Sequence, residues 1–194
     1  MTLAIISAYL IGSVPFAFLL TRRRAIDLRR LGSGNLGAAN VLRASGVRAG
    51  VLVAILDIAK GAAGVVLASR VAGGGALAPA LAGLAAIVGH IYPVWLKFRG
   101  GKGVATACGV FSVLTPLAVP PALVLFLVTV WLTKYISLGS ILATIALPSI
   151  AYASGAPSAT LAVAWIAAAL IIFRHRSNVA RLIGGTERRF GVRA

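Results

Sequence analysis

Acidic side chains are almost missing from this chain of 194 residues; Asp27, Asp57 and Glu187 are all it has, against 19 Lys and Arg. Cysteine is nearly as rare: the lone Cys108 lies in an apolar run, which excludes a disulfide or a cysteine-rich metal site within one chain. Charge of either sign is scarce too. Only 11% of residues are charged, where a soluble domain carries about 25%. No heptad series, fixed repeat or low-complexity linker divides the sequence. What remains is apolar: 60% of residues are hydrophobic and the mean hydropathy is +1.00. Several runs approach the roughly 20 residues that carry a helix across a bilayer. These features predict one polytopic membrane domain over residues 1–194, with no soluble domain of any size.

The net charge of +16 suits nucleic acid, anionic lipid or an anionic substrate. Its distribution favours the membrane. The opening "MTLAIISAYLIGSVPFAFLLTRRR" carries its arginines after the apolar run, whereas a cleaved signal peptide carries positive charge before it. It is therefore expected to stay as a first span with its N-terminus outside. Further spans are expected at about 49–70, 76–96, 135–153 and 157–173. The uncharged stretch Gly103 to Thr133 is 31 residues long and is interrupted by Pro116, Pro120 and Pro121. Read as two short helices, it gives seven spans and puts 17 of the 19 basic residues on one side, with Arg70 alone opposite and Lys60 inside a span. Read as one helix, it leaves 10 against 8. The positive-inside rule selects a compact all-α bundle of seven transmembrane helices, N-terminus out and C-terminus cytoplasmic.

Three polar segments then share the cytoplasmic side. The first, "LGSGNLGAANVLR", contains a literal G-x-G-x-x-G, with Asp57 twenty residues beyond its last glycine. A dinucleotide fingerprint needs a preceding strand, and a membrane helix precedes this one. What survives is the physical content. Glycines such as Gly34 let backbone N–H groups approach an anion, Ser33 and Asn35 add side-chain donors, and Arg43 adds a fork suited to phosphate. The second, "GHIYPVWLKFRGGKGVAT", resembles the end of a P-loop but has Gly103 where Ser or Thr is required and Leu96 where Gly is required. Gly101, Lys102 and Gly103 still suit a phosphate at the start of a helix. In the third, "FRHRSNVARLIGGTE", His175 and Asn178 are spaced to share one face. Arg174 and Arg176 flank the histidine, and like charge favours its neutral, proton-accepting form. Asp57 and Lys60, spaced i,i+3 inside an apolar span, read as a structural ion pair.

Together these segments, with "DIAKG" in the second span and "SLGS" at 137–140, resemble the bacterial acyl-phosphate:glycerol-3-phosphate acyltransferase family (the PlsY family). Motif order, length and span count agree over nearly the whole chain. Two positions depart from the family's usual first motif: Leu36 and Ala39 stand where Pro and Thr are common. The resemblance implies a seven-helix membrane enzyme of the bacterial inner membrane with its active site at the cytoplasmic face. It would transfer a fatty acyl group from acyl phosphate to glycerol 3-phosphate, releasing inorganic phosphate, with no cofactor or metal, no nucleic-acid partner and function as a monomer. His175 and Asn178 would serve the reacting hydroxyl or the oxyanion. Ser33, Gly34, Asn35, Arg43, Gly101, Lys102, Gly103 and Ser140 would bind substrate. His90 would be structural or would support a site residue from behind, and Glu187 would be structural, capping or pairing with arginines of the tail.

The chemistry is compatible with that expectation. Phosphate leaves readily, so few carboxylates are needed. The alternative acyltransferase pattern, histidine and aspartate separated by four residues, is absent, because Trp95 and Ala180 stand at the aspartate positions. No G-x-S-x-G nucleophile motif occurs either. The competing reading is a transporter of a small phosphorylated anion; many transporters show an inverted repeat, and none is visible here.

Overall fold

The computed structural model describes residues 1–22, 26–31, 34–71 and 73–191; the expected ligand Ser33 lies outside the described residues. Among them are ten α-helices and no strand. The chain forms two compact units, Met1–Leu114 and Thr115–Ala194.

Unit one holds α1 (Thr2–Ser13), α2 (Phe16–Arg22), α3 (Ala38–Ser45), α4 (Val47–Val71), α5 (Leu77–Ile91) and α6 (Val104–Leu114). Proline explains the break in the first span: Pro15 pushes the preceding residue out of helical geometry, and Val14 adopts φ −59° and ψ 116°. The Val14 carbonyl then accepts a hydrogen bond from Lys60 Nζ at 2.8 Å. α4 packs against α1, α3, α5 and α6. Small residues set how closely. A Cβ on Gly61 would collide with the Thr106 backbone, and one on Gly109 would collide with the Ile58 carbonyl. α4 and α6 therefore meet backbone to backbone, as membrane helices do where dispersion must replace the hydrophobic effect.

Unit two holds α7 (Val119–Thr133), α8 (Ile136–Ala153), α9 (Ser158–Arg174) and α10 (Arg176–Ile183). α8 packs between α7 and α9. Pro120 and Pro121 fall in the first turn of α7, where their missing N–H groups cost nothing. α10 leaves α9 at a bend of 56°. Trp131, Leu132, Tyr152 and Trp165 are exposed, as expected of side chains facing lipid.

The expected spans reappear as Thr2–Arg22, Val47–Val71, Leu77–Leu96, Ile136–Ala153 and, if the bent pair counts as one, Ser158–Ile183. By length and composition, four described helices can cross a membrane, or five with that pair. The uncharged stretch is indeed two helices, α6 of 11 residues and α7 of 15. At helical rise they span about 16 and 22 Å, short of a ~30 Å hydrocarbon core.

Candidate active site

The first motif leads into α3. Asn40, fully buried, donates through Nδ2 to the Leu28 and Leu31 carbonyls at 3.0 and 3.1 Å. It thereby ties the approach to the glycine-rich stretch onto α3. Gly34 is exposed with φ 68°, and Asn35 and Arg43 are half-buried. No expectation from sequence singled out Asn40; an amide just inside a helix start, after a glycine-rich loop, is the signal that was there.

The second motif is a tight return between α5 and α6. Lys97 and Phe98 both take left-handed backbone angles, with φ 53° and 59°. Two backbone hydrogen bonds close the return: Gly100 N–H to the Ile91 carbonyl at 3.0 Å and Gly101 N–H to the His90 carbonyl at 3.1 Å. Gly101 packs so close to the His90 ring that a Cβ would fall on Nε2. Lys102 is half-buried between buried Gly101 and Gly103, two residues before α6 begins. Its ammonium thus belongs to the same few residues as a helix N-terminus, where orphan N–H groups and the helix dipole favour an anion.

Beside this return lies a buried charge cluster. Asp57 Oδ1 meets Lys60 Nζ at 2.8 Å, and His90 Nδ1 approaches the same oxygen at 3.5 Å, within ion-pair reach and long for a hydrogen bond. Lys60 also stands 5.6 Å over the Phe16 ring. The structural pairing expected of Asp57 and Lys60 is present. A narrow cleft runs along the cluster, lined by Phe16, Leu36, Lys60, His90, Gly100 and Gly101 among others.

In unit two, the third motif is built on the α9–α10 bend. His175 is at once the last cap of α9 and the first of α10, with φ −93° and ψ 2°. That is the sparsely populated bridge region where many active-site residues sit. Its N–H donates to the Ile172 carbonyl at 2.8 Å, and its carbonyl accepts from Asn178 and Val179 at 2.8 and 2.9 Å. The side chain is 2% exposed, and Nδ1 lies 2.8 Å from the Ile171 carbonyl. A carbonyl only accepts, so Nδ1 carries the hydrogen, and in the neutral ring Nε2 carries the lone pair.

Asn178, also buried, donates Nδ2–H to Glu187 Oε1 at 2.7 Å. Glu187 further accepts from Ser137 at 2.8 Å and pairs with Arg181 at 2.7 Å. Burial would raise the Glu187 carboxyl, but donors from Asn178, Ser137 and Arg181, with the Arg181 charge, outweigh it and hold the group below its ordinary value. The expected arginine pairing of Glu187 is thus present, and with it an unforeseen grip on Asn178. Ser140 is buried one turn from Ser137, and its hydroxyl donates to the Ile136 carbonyl at 2.9 Å. Arg176 is exposed over the Phe173 ring at 4.5 Å. No group of three or more His, Cys, Asp and Glu suited to a metal occurs among the described residues.

The family model described as glycerol-3-phosphate acyltransferase matches residues 2–185. A glycerol-3-phosphate acyltransferase of Syntrophotalea carbinolica is 46% identical over 187 residues, covering 96% of this chain and 95% of the relative. One of Aquifex aeolicus is 44% identical, covering 96% and 97%. The crystal structure of PlsY (YgiH), an integral membrane glycerol 3-phosphate acyltransferase, in its glycerol 3-phosphate form superimposes with a TM-score of 0.94 at 42% identity, covering 98% of this chain and 95% of that one. Its lysophosphatidic acid form gives 0.91 at 40% identity, with the same coverage.

Proposed function

The chain belongs to the glycerol-3-phosphate acyltransferase family, of the PlsY type, and on that premise we propose that it moves a fatty acyl group from acyl phosphate to glycerol 3-phosphate. The products are 1-acyl-glycerol 3-phosphate and inorganic phosphate, feeding phospholipid synthesis. The observation that carries the reading is the His175 ring, whose Nδ1–H is committed to the Ile171 carbonyl. Nε2 is thereby the proton acceptor. The glycerol hydroxyl oxygen attacks the acyl carbonyl carbon as its proton passes to Nε2. The tetrahedral oxyanion collapses, the carbonyl–phosphate C–O bond breaks, and phosphate leaves with the electron pair. Asn178, oriented by Glu187, positions the hydroxyl or donates to the oxyanion. Lys102, Arg43, Ser33 and Asn35, with backbone N–H groups near Gly34, Gly101 and Gly103, hold the phosphates; Ser140 is a further substrate-binding residue in this reading.

Purified protein in detergent tests the donor. Acyl phosphate is expected to support ester formation on glycerol 3-phosphate, while acyl-CoA and acyl-carrier protein do not. Equal rates with acyl-CoA would reject the donor assignment. Turnover without a sealed compartment also separates an enzyme from a transporter.

Residues 1–194 act as one multi-pass domain of the inner membrane, functional as a monomer, with seven spans, the N-terminus outside and the motifs facing the cytoplasm. The one-sided distribution of basic residues supports this. In a Cys108→Ala background, cysteines at Arg99 and Ser177 should be labelled from the cytoplasm and one at Gly74 from outside. All three positions are exposed. Labelling of Gly74 and Arg99 from one side would sink the topology.

Lys102 gives a graded test. A charged hydrogen bond contributes about 1.5–3 kcal/mol, so Lys102→Ala should lower kcat/KM by roughly 10–100-fold. Exposed Lys97 should tolerate alanine much better. Equal losses at the two would mean the return acts through general charge.

A further inference from the structure

The buried cluster of Asp57, Lys60 and His90 has no part in the reaction as written, yet it touches the glycine-rich return from within. We propose that His90 is a positioning residue for the phosphate-binding return at Gly100–Gly103, held in place by Asp57; the proposal rests on the reading of that return as a phosphate site.

His90 acts on the return through two of its parts. Its backbone carbonyl accepts the Gly101 N–H, next to the Ile91–Gly100 bond, and its imidazole fills the space a Gly101 side chain would need. The ring therefore serves as the floor on which the Gly101 peptide lies. A floor sets geometry only if it is itself fixed. His90 is 7% exposed, and its Nδ1 faces the Asp57 carboxylate. Asp57 is fixed in turn by Lys60, whose ammonium also reaches the Val14 carbonyl. Every link from the α1–α2 break to Gly101 is a buried side chain in direct contact with the next. The contacts position the return against three helices at once: α1, α4 and α5.

A peptide cradle for phosphate depends on such fixing. The Gly100 and Gly101 N–H groups close the return itself, so the peptides that follow them must already be aimed at the anion, because each reorganisation on binding subtracts from affinity. Lys102 follows Gly101 directly, so a shift of that peptide also moves the ammonium. Loosening the floor should therefore weaken substrate phosphate binding and leave the proton-transfer step unchanged. In kinetic terms KM rises and kcat stays. A role confined to packing predicts the reverse: lower stability with unchanged KM in whatever protein remains folded.

The experiment uses the full chain in detergent, with KM for each substrate, kcat, inhibition by inorganic phosphate, and thermal unfolding. His90→Asn keeps a nitrogen near the place of Nδ1 for Asp57 but removes the rest of the ring; it guards against misfolding of His90→Ala. Both are expected to raise at least one substrate KM and the phosphate inhibition constant by about fivefold or more, with kcat within about threefold. Gly101→Ala should do the same by clashing with the ring. In Gly101→Ala/His90→Ala the added methyl enters vacated space, so the combined loss should fall short of the product of the single losses by about threefold or more. The proposal is overturned if His90→Asn leaves KM and phosphate inhibition within about twofold of wild type, or if the two alanine effects simply multiply. Lys102→Ala, run alongside, tells which idea has failed. Unchanged phosphate inhibition in Lys102→Ala removes the phosphate site itself. A rise there with none in His90→Asn removes only the positioning role.

Discussion

His175→Ala is expected to lower kcat by about 100–10,000-fold, the range of general-base catalysis, with thermal unfolding in detergent close to wild type. The ring sits at the α9–α10 bend, but the bend is held by backbone bonds to Ile171 and Ile172 and from Asn178 and Val179. Truncation removes only the ring bond to the Ile171 carbonyl and leaves the backbone bonds, so activity should fall far more than stability. Asn178→Ala should also act mainly on kcat, by roughly 100–1,000-fold if its amide serves the oxyanion. The double variant should lose less than the product of the two, since groups that act as a unit are not additive. Exposed Arg176, stacked on Phe173, should tolerate alanine far better. Wild-type turnover in a folded His175→Ala protein would move the base elsewhere, with a substrate phosphate as the remaining candidate.

Asp57→Asn should produce the largest loss of stability. Removing one partner of a buried ion pair costs about 3–5 kcal/mol, because the other charge stays behind without compensation. For a chain this long each kcal/mol moves Tm by about 2–4 °C, so a fall of roughly 6–20 °C is expected. Lys60 would keep the Val14 carbonyl and the face of Phe16, neither of which carries the full negative charge that cancels its own. Removing both charges should be much milder, since an apolar replacement of a buried pair is often neutral. Asp57→Leu/Lys60→Met should therefore unfold nearer to wild type than Asp57→Asn does. A Tm within about 2 °C of wild type for Asp57→Asn would show that water reaches Lys60.

The helices were legible because apolar length and proline are local signals. The expected limits at 49–70 and 135–153 lie within two residues of Val47–Val71 and Ile136–Ala153. The short pair α6 and α7 followed from counting charges on either side of an uncharged stretch. The bend at His175 was not legible. Nothing between Ser158 and Ile183 breaks a helix by composition, and the turn is held by backbone and ring bonds to carbonyls of α9. Contacts across the sequence were equally hidden. The meeting of Ser137 with Glu187, or of His90 with Gly101, depends on packing that no spacing rule encodes. The ion pair was legible because i,i+3 spacing on one helix already places Asp57 beside Lys60.

That last property bears on how the protein is made. A lone Asp or Lys at the centre of a nascent span opposes insertion by about 2.5–3.5 kcal/mol. Asp57 and Lys60 belong to the same helix, so they can neutralise each other as soon as that one segment coils, before any neighbour has arrived. α4 can then enter the lipid with its centre nearly neutral and its arginines at the two ends, and hand Lys60 to Val14, and Asp57 to His90, only when the neighbouring helices close around it. Had the two charges been divided between helices, each segment would have had to wait in the bilayer for its partner.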